Sequence, residues 1–128
     1  MNTKARKILI VDDEPNIVMS LEYTFKKNNF EVFIARDGQE ALDILKSEVP
    51  NVIILEIMMP HVDGYATLEQ IRKEKRLSQC KVIFLTAKNK ESDIQKGLLL
   101  GADAYVTKPF SLKKLVEQVN ELIENKSI

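Results

Sequence analysis

The sequence holds one cysteine and one histidine in 128 residues, and its formal net charge at neutral pH is zero. A lone Cys80 excludes an internal disulfide and a multi-cysteine zinc site. It precedes the apolar run KVIFL, which suits a partly buried, inert thiol. Nineteen basic residues against nineteen acidic ones leave no excess to glue the chain to nucleic acid or an anionic membrane. The densest basic stretch, RKEKR at 72–76, carries a glutamate and reads as a solvated helix end or loop. No run of about 18 apolar residues is present to span a bilayer. MNTKARKILIV is too polar, and its apolar part too short, for a signal peptide. The expectation is a cytoplasmic protein that binds neither nucleic acid nor membrane directly. Linkers, repeats and low-complexity segments are also missing, so a single domain is expected over 1–128, with a core at about 7–124 and a frayed ENKSI end.

What is present is an alternation. Five short apolar runs, KILIV (7–11), EVFIA (31–35), NVIIL (51–55), KVIFL (81–85) and AYVT (104–107), alternate with five helical patterns. Nearly continuous Val, Ile, Leu and Phe suits strands covered on both faces. Pro15 can open the first helix, where its missing N–H costs nothing, and Ile17, Leu21 and Phe25 then share one face. Lys26 and Lys27 suit its last turn, and Asn28–Asn29 can leave it through a left-handed cap. Gly38 opens a second helix with Ala41, Leu42 and Leu45 inward. Asp63 or Gly64 opens a third, with Leu68 and Ile71 inward. Ser92 is the candidate cap of a fourth that stops at Gly101, and Ser111 caps a fifth with Leu112, Leu115, Val119 and Leu122 inward. Successive βα units imply a parallel sheet with right-handed crossovers.

In such a sheet, ligands bind outside the carboxyl ends of the strands. Asp12 and Asp13 come after the first run, Glu56 after the third, Thr86 after the fourth and Lys108 after the fifth. Strand ends become polar loops in any case, so no one of these residues is diagnostic; the set is. Carboxylates gathered together repel unless a cation joins them. Hard oxygen ligands with room for water suit Mg²⁺, which shares its shell with phosphate. A lysine and a hydroxyl would hold the remaining phosphoryl oxygens. Together these groups describe phosphoryl transfer to a carboxylate.

The motifs ILIVDDEP, VIILEIMMPHVDGY, FLTA and GADAYVTKPF, in this order and spacing, resemble the receiver domains of bacterial two-component response regulators. The resemblance runs from Lys7 to about Leu122. It implies a flavodoxin-like α/β fold, a doubly wound parallel sheet of five strands in the order 2-1-3-4-5 with five helices. It implies Mg²⁺ as cofactor, held by Asp12, Asp13, the acceptor carboxylate at 56 and the backbone carbonyl of Met58. Thr86 then matches the switch hydroxyl, Tyr105 the aromatic switch coupled to it, and Lys108 the phosphate-binding lysine, with a cis bond to Pro109. Gly64 matches the tight turn after the acceptor loop. The implied partners are a cognate histidine kinase or phosphotransfer protein. On the face of the fourth helix, fifth strand and fifth helix, an effector, an output domain or a second copy in a homodimer would dock. The only chemistry implied is the domain's own phosphorylation and dephosphorylation, so it is not an enzyme in the usual sense.

One residue departs from that pattern. The family carries aspartate where this chain carries Glu56. The extra methylene moves the carboxylate up to ~1.5 Å, and ~1 Å of misplacement costs ~100-fold in rate. The expectation is slow or absent phosphorylation. Glu56 is then an introduced activating mimic, a native residue in a receiver that works without phosphorylation, or a slow acceptor. As a mimic it is partial, since a phosphoryl group carries ~1.5–2 charges and three acceptor oxygens. Its alternative is a plain salt bridge to Lys108 that leaves the switch off.

His61, after Pro60, reads as an exposed loop residue, and Met58 and Met59 as core and loop packing. GLLLG at 97–101 must expose at least one leucine, because three in a row cannot all face inward. Three rival readings are weaker. A haloacid-dehalogenase-type phosphatase wants an aspartate where Glu14 stands and a late acid pair that AYVTKPF lacks. A flavodoxin would want hydroxyls and N–H groups, not acids, after the first strand. A phosphorylation-independent interaction module, a pseudo-receiver, would leave Mg²⁺ without effect.

Overall fold

The computed structural model describes residues 6–124. Five strands run Arg6–Val11 (β1), Phe30–Ala35 (β2), Val52–Leu55 (β3), Lys81–Thr86 (β4) and Ala104–Thr107 (β5). They form one parallel sheet in the order β2-β1-β3-β4-β5, the flavodoxin-like arrangement. Helices α1 (Pro15–Lys27), α2 (Gly38–Ile44), α3 (Gly64–Lys73), α4 (Glu91–Leu99) and α5 (Leu112–Glu124) alternate with the strands, and a short 3₁₀ turn, Lys75–Leu77, precedes β4.

The two-residue period of each strand divides its side chains between two cores. Leu9, Val11, Ile53, Leu55, Val82 and Phe84 face one side, where α2 and α3 bring Ala41, Leu45, Leu68 and Ile71. Ile8, Ile10, Val52, Ile54, Ile83 and Leu85 face the other, where α1 and α5 bring Leu21, Phe25, Leu115 and Val119. That double coverage is why the paired stretches Ile8–Val11, Val52–Leu55 and Val82–Leu85 are wholly apolar, with polar residues only at the strand ends: both faces are dry there.

The helix boundaries obey local chemistry. Pro15 is the first residue of α1, and Asn29 leaves it with φ 68°. The buried line of α1 is Val18, Leu21 and Phe25; Ile17 sits at its half-buried margin, so the face is rotated from the expected one. Asp37 and Asp63 cap α2 and α3 by accepting from Glu40 N and Ala66 N, each at 2.9 Å. Ser111 Oγ accepts from Lys114 N at 3.1 Å and starts α5 as expected.

Ser92 does not cap α4. The helix already begins at Glu91, and Lys90 precedes it without a side-chain cap. Glu91 and Asp93 in the first turn supply the negative charge this terminus needs. RKEKR is not simply solvated either. Arg72 donates to Gly101 O, Cys80 O and Asp103 Oδ2 within 3.0 Å, and Arg76 donates to Leu45 O. Cys80 is fully buried, and burial pushes its thiol pKa up, which suppresses the reactive thiolate. Met59 packs on the core, but Met58 is 61% exposed, contrary to the packing expected for both. Leu98 and Leu99 are exposed, while Leu100 packs inward.

Candidate functional site

Asp12, Glu56 and Lys108 each stand one residue past a strand and Thr86 is the last residue of β4, yet the backbone there stays laddered to a neighbour. Asp12 N donates to Ala35 O at 3.1 Å, Glu56 N to Val11 O at 2.9 Å, and Lys108 N to Thr86 O at 2.9 Å. The sheet therefore fixes these side chains at one rim, beside the point where strand order reverses around β1 and β3.

Lys108 is the centre of the rim. Its ammonium donates to Glu56 Oε1 at 2.7 Å, to Asp12 Oδ2 at 3.1 Å and to Glu14. Its three protons have three carboxylate partners. Asp12 and Glu56 are buried, Lys108 is 13% exposed and Glu14 is open to solvent. Burial alone would lower the lysine pKa. The carboxylates of Glu14, Glu56 and Asp12 together outweigh it and hold the ammonium above the usual lysine range. Burial raises the Asp12 carboxyl above its ordinary value, opposed by the Glu14 N–H and by Lys108. The remaining oxygens are satisfied locally: Asp12 Oδ1 accepts from Glu14 N at 2.9 Å, and Glu56 Oε2 accepts from Ile57 N at 2.7 Å and Met58 N at 3.2 Å.

Asp12, Glu14 and Glu56 each place a carboxylate oxygen within 4.8 Å of the others. Asp13 is exposed and lies outside this trio. Sequence reasoning missed Glu14. Its signal was its place between the aspartate pair and Pro15, where the turn into α1 folds the chain back over Asp12. The donor set is hard oxygen throughout, which fits Mg²⁺ chemically. Lys108 engages one oxygen of each of these carboxylates, so a metal would compete with a cation the protein already supplies.

Gly64 closes the acceptor loop from behind. A Cβ there would lie 2.4 Å from Glu56 O and 2.7 Å from Ile57 Cα. Both obstacles are backbone, so neither can swing away. Gly64→Ala is expected to cost about 1–3 kcal/mol of folding stability, seen as a lower urea midpoint with an unchanged m-value.

Thr86 and Tyr105 meet at one residue, Lys88. Thr86 Oγ1 accepts from Lys88 N at 3.3 Å, and Tyr105 OH donates to Lys88 O at 2.8 Å. The loop between β4 and α4 is thus held on both sides of Lys88, a residue with no motif or spacing in the chain to single it out. Burial holds the Tyr105 phenol above its ordinary pKa, so it remains a donor. The Lys108–Pro109 bond is cis, as expected, and His61 is an exposed loop residue.

A doubly wound parallel sheet with a lysine caged by acids at its carboxyl rim defines a small class of α/β domains. The family comparison places the chain within it: it belongs to the response regulator receiver domain family, whose model matches residues 8–120. Three solved structures illustrate the likeness. The receiver domain of the Francisella response regulator 1452 is 34% identical, with a TM-score of 0.87 over 95% of this chain and 99% of that one. The signal receiver domain of a signal transduction histidine kinase from Syntrophus aciditrophicus is 31% identical, with a TM-score of 0.86 over 97% of each chain. A CheY-like receiver domain protein from Methanospirillum hungatei JF-1 is 30% identical, with a TM-score of 0.89 over 94% of this chain and 95% of that one. Domains of this family act in two-component signal transduction, with histidine kinases or phosphotransfer proteins and output domains as partners, and generally bind Mg²⁺ at an acidic pocket. Among the described residues no helix is long and apolar enough to cross a membrane.

Proposed function

We propose that this receiver domain carries a standing charge at its acceptor position: Glu56 is the permanent counter-ion of Lys108 and takes no phosphoryl group at a useful rate. The observation that carries this is the engagement of both Glu56 oxygens, Oε1 by Lys108 and Oε2 by the Ile57 and Met58 amides. Attack on a phosphodonor needs a carboxylate oxygen free and in line. A glutamate folded back onto its own loop offers neither, and misplacement by ~1 Å costs ~100-fold. Thr86 Oγ1 is bonded to Lys88 N and is not among the hydrogen-bond partners of Glu56. The mimicry therefore extends to the lysine half of the switch and stops short of the hydroxyl half.

In this reading Asp12, Asp13 and Glu56, with the Met58 carbonyl, hold Mg²⁺, and Glu14 is a further oxygen donor. Bound there, the ion would neutralise the clustered carboxylates and screen phosphate oxygens of a donor. Thr86 and Tyr105 bias the loop before α4, and the face of α4, β5 and α5 presents that bias to an effector, an output domain or a second copy. The domain has its core at about 7–124, works in the cytoplasm with a cognate histidine kinase or phosphotransfer protein, and is not an enzyme. A pseudo-receiver is the second reading, favoured by one observation: the Lys108 ammonium pairs with all three carboxylates of the cage.

Intact-mass spectrometry after incubation with Mg²⁺ and a small-molecule phosphodonor tests the proposal. The parent is expected to stay unmodified while Glu56→Asp gains one phosphoryl group. A parent that gains it makes glutamate a true acceptor and ends the proposal. If neither form is modified, the pseudo-receiver reading takes its place.

A further inference from the structure

The loop bearing Glu56 touches α4 by a route that bypasses Thr86. Gly64 lies directly on the Glu56 carbonyl, and its N–H donates to Ile57 O at 2.8 Å. The next residue, Tyr65, is buried and points at α4. Its hydroxyl donates to Asp93 O, in the first turn of α4, at 3.2 Å. Its ring meets Phe84 edge-on at 5.7 Å, and Phe84 meets Tyr105 edge-on at 5.8 Å. From α4 itself, Lys96 sets its ammonium 4.4 Å from the Tyr65 ring centroid. A purely apolar core residue would need only the ring contact. Tyr65 adds a directed hydrogen bond and a cation–π contact, both to the same helix.

We infer that Tyr65 is a positioning residue that couples the acceptor loop to α4 by a path that does not pass through Thr86. A displacement of the Glu56 backbone is passed to Gly64, which packs too closely on the Glu56 carbonyl to admit a Cβ and is tied to Ile57 O by its N–H. Gly64 and Tyr65 are the first two residues of one helix, so the displacement passes to the Tyr65 ring and hydroxyl. Tyr105 holds the loop ahead of α4 at Lys88, and Tyr65 holds its first turn at Asp93. The floor beneath is tight: a Cβ on Gly97 of α4 would lie 3.0–3.1 Å from the Phe84 and Tyr105 rings. A shift of these rings is therefore felt at α4. This deepens the receiver reading, since it takes Glu56 as the input of the switch.

The test is a double-mutant cycle read by backbone amide chemical shifts. Four proteins are compared: the parent, Glu56→Gln, Tyr65→Phe and the double variant. Glu56→Gln removes the charge at the input without a metal or phosphodonor, so the result does not depend on whether the site can be phosphorylated. Tyr65→Phe keeps the ring and deletes only the hydroxyl. Glu56→Gln is expected to shift the amides of residues 91–97, and this response should fall by at least half in the Tyr65→Phe background. The response at Thr86 and Lys88 should persist. A merely structural Tyr65 would leave the α4 response to Glu56→Gln undiminished, and that result overturns the inference. It is equally overturned if α4 fails to respond to Glu56→Gln in the parent background. Neither result bears on phosphorylation competence, which the mass measurement decides separately.

Discussion

Lys108→Ala is expected to cost about 3–5 kcal/mol of folding stability at neutral pH, the usual consequence of removing one partner from a buried ionic group. Asp12 and Glu56 would remain buried with no cation between them, and their mutual repulsion would no longer be offset. Glu14 is open to water, so its share of the loss is small. Lys108→Met separates charge from packing, because it keeps an aliphatic stem of similar length. It should lose nearly as much as the alanine. Urea denaturation of both variants measures this, and a loss below about 1 kcal/mol, the scale of an exposed pair, would mean that the cage is a surface ornament.

The pH dependence of that loss carries a sign. The folded protein holds the Lys108 ammonium above its ordinary value of 10.5. A base raised by folding contributes fully below its unfolded pKa and loses that contribution as pH rises through the folded one. The parent should therefore keep this term at neutral pH and lose it only in strong alkali. Asp12 behaves differently. Burial raises it above 3.8, and Lys108 is one of the groups that hold it down. Without Lys108 it rises further. An acid raised by folding favours the protonated fold, so Lys108→Ala should regain part of its lost stability as pH falls from neutral towards the carboxylate range. Stability curves of parent and variant that run parallel from pH 7 to about pH 5 would contradict this assignment.

The central strands are legible because burial on both faces leaves nearly continuous apolar runs, bounded by polar residues and too short for an ordinary helix. AYVT at 104–107 is β5 without a change of boundary, and Asp12, Glu56 and Lys108 stand out simply as the polar residues at which the apolar runs stop. What stays hidden in the chain is three-dimensional. Glu14 is flagged in the chain only by its place beside the aspartate pair; that the end of β5 brings the Lys108 ammonium over this turn is recorded by no spacing. Arg72 resembles one charge in a basic cluster, but its partners at Gly101 and Asp103 lie 29 and 31 positions away. Ser92 is a plausible cap by residue type, yet the helix begins one residue earlier, with charge rather than a hydroxyl at its terminus. Local chemistry proposes, and tertiary contacts decide among the proposals.

Mg²⁺ is expected to stabilise the folded domain, and by more once Lys108 is gone. A ligand that binds only the folded state stabilises it by RT ln(1 + [L]/Kd), about 2.7 kcal/mol at one hundred times Kd. In the parent, the metal must share or replace the hold of Lys108 on Asp12, Glu14 and Glu56, so part of its binding free energy offsets the loosened ion pairs. In Lys108→Ala no internal cation competes, and the uncompensated carboxylates give the ion a stronger local field. At equal Mg²⁺ the increment should therefore be larger in the variant, measured as the shift in thermal or urea midpoint. Asp12→Asn should abolish most of it in either background, because it removes a buried charge from the donor set. An equal increment with and without Lys108 would place the ion away from the cage. No increment in either protein would mean that the cage does not bind the ion, whereas an increment confined to Lys108→Ala would mean that in the parent the lysine fills the metal's place, so that a receiver carrying its own cation has no need of the ion to hold its switch.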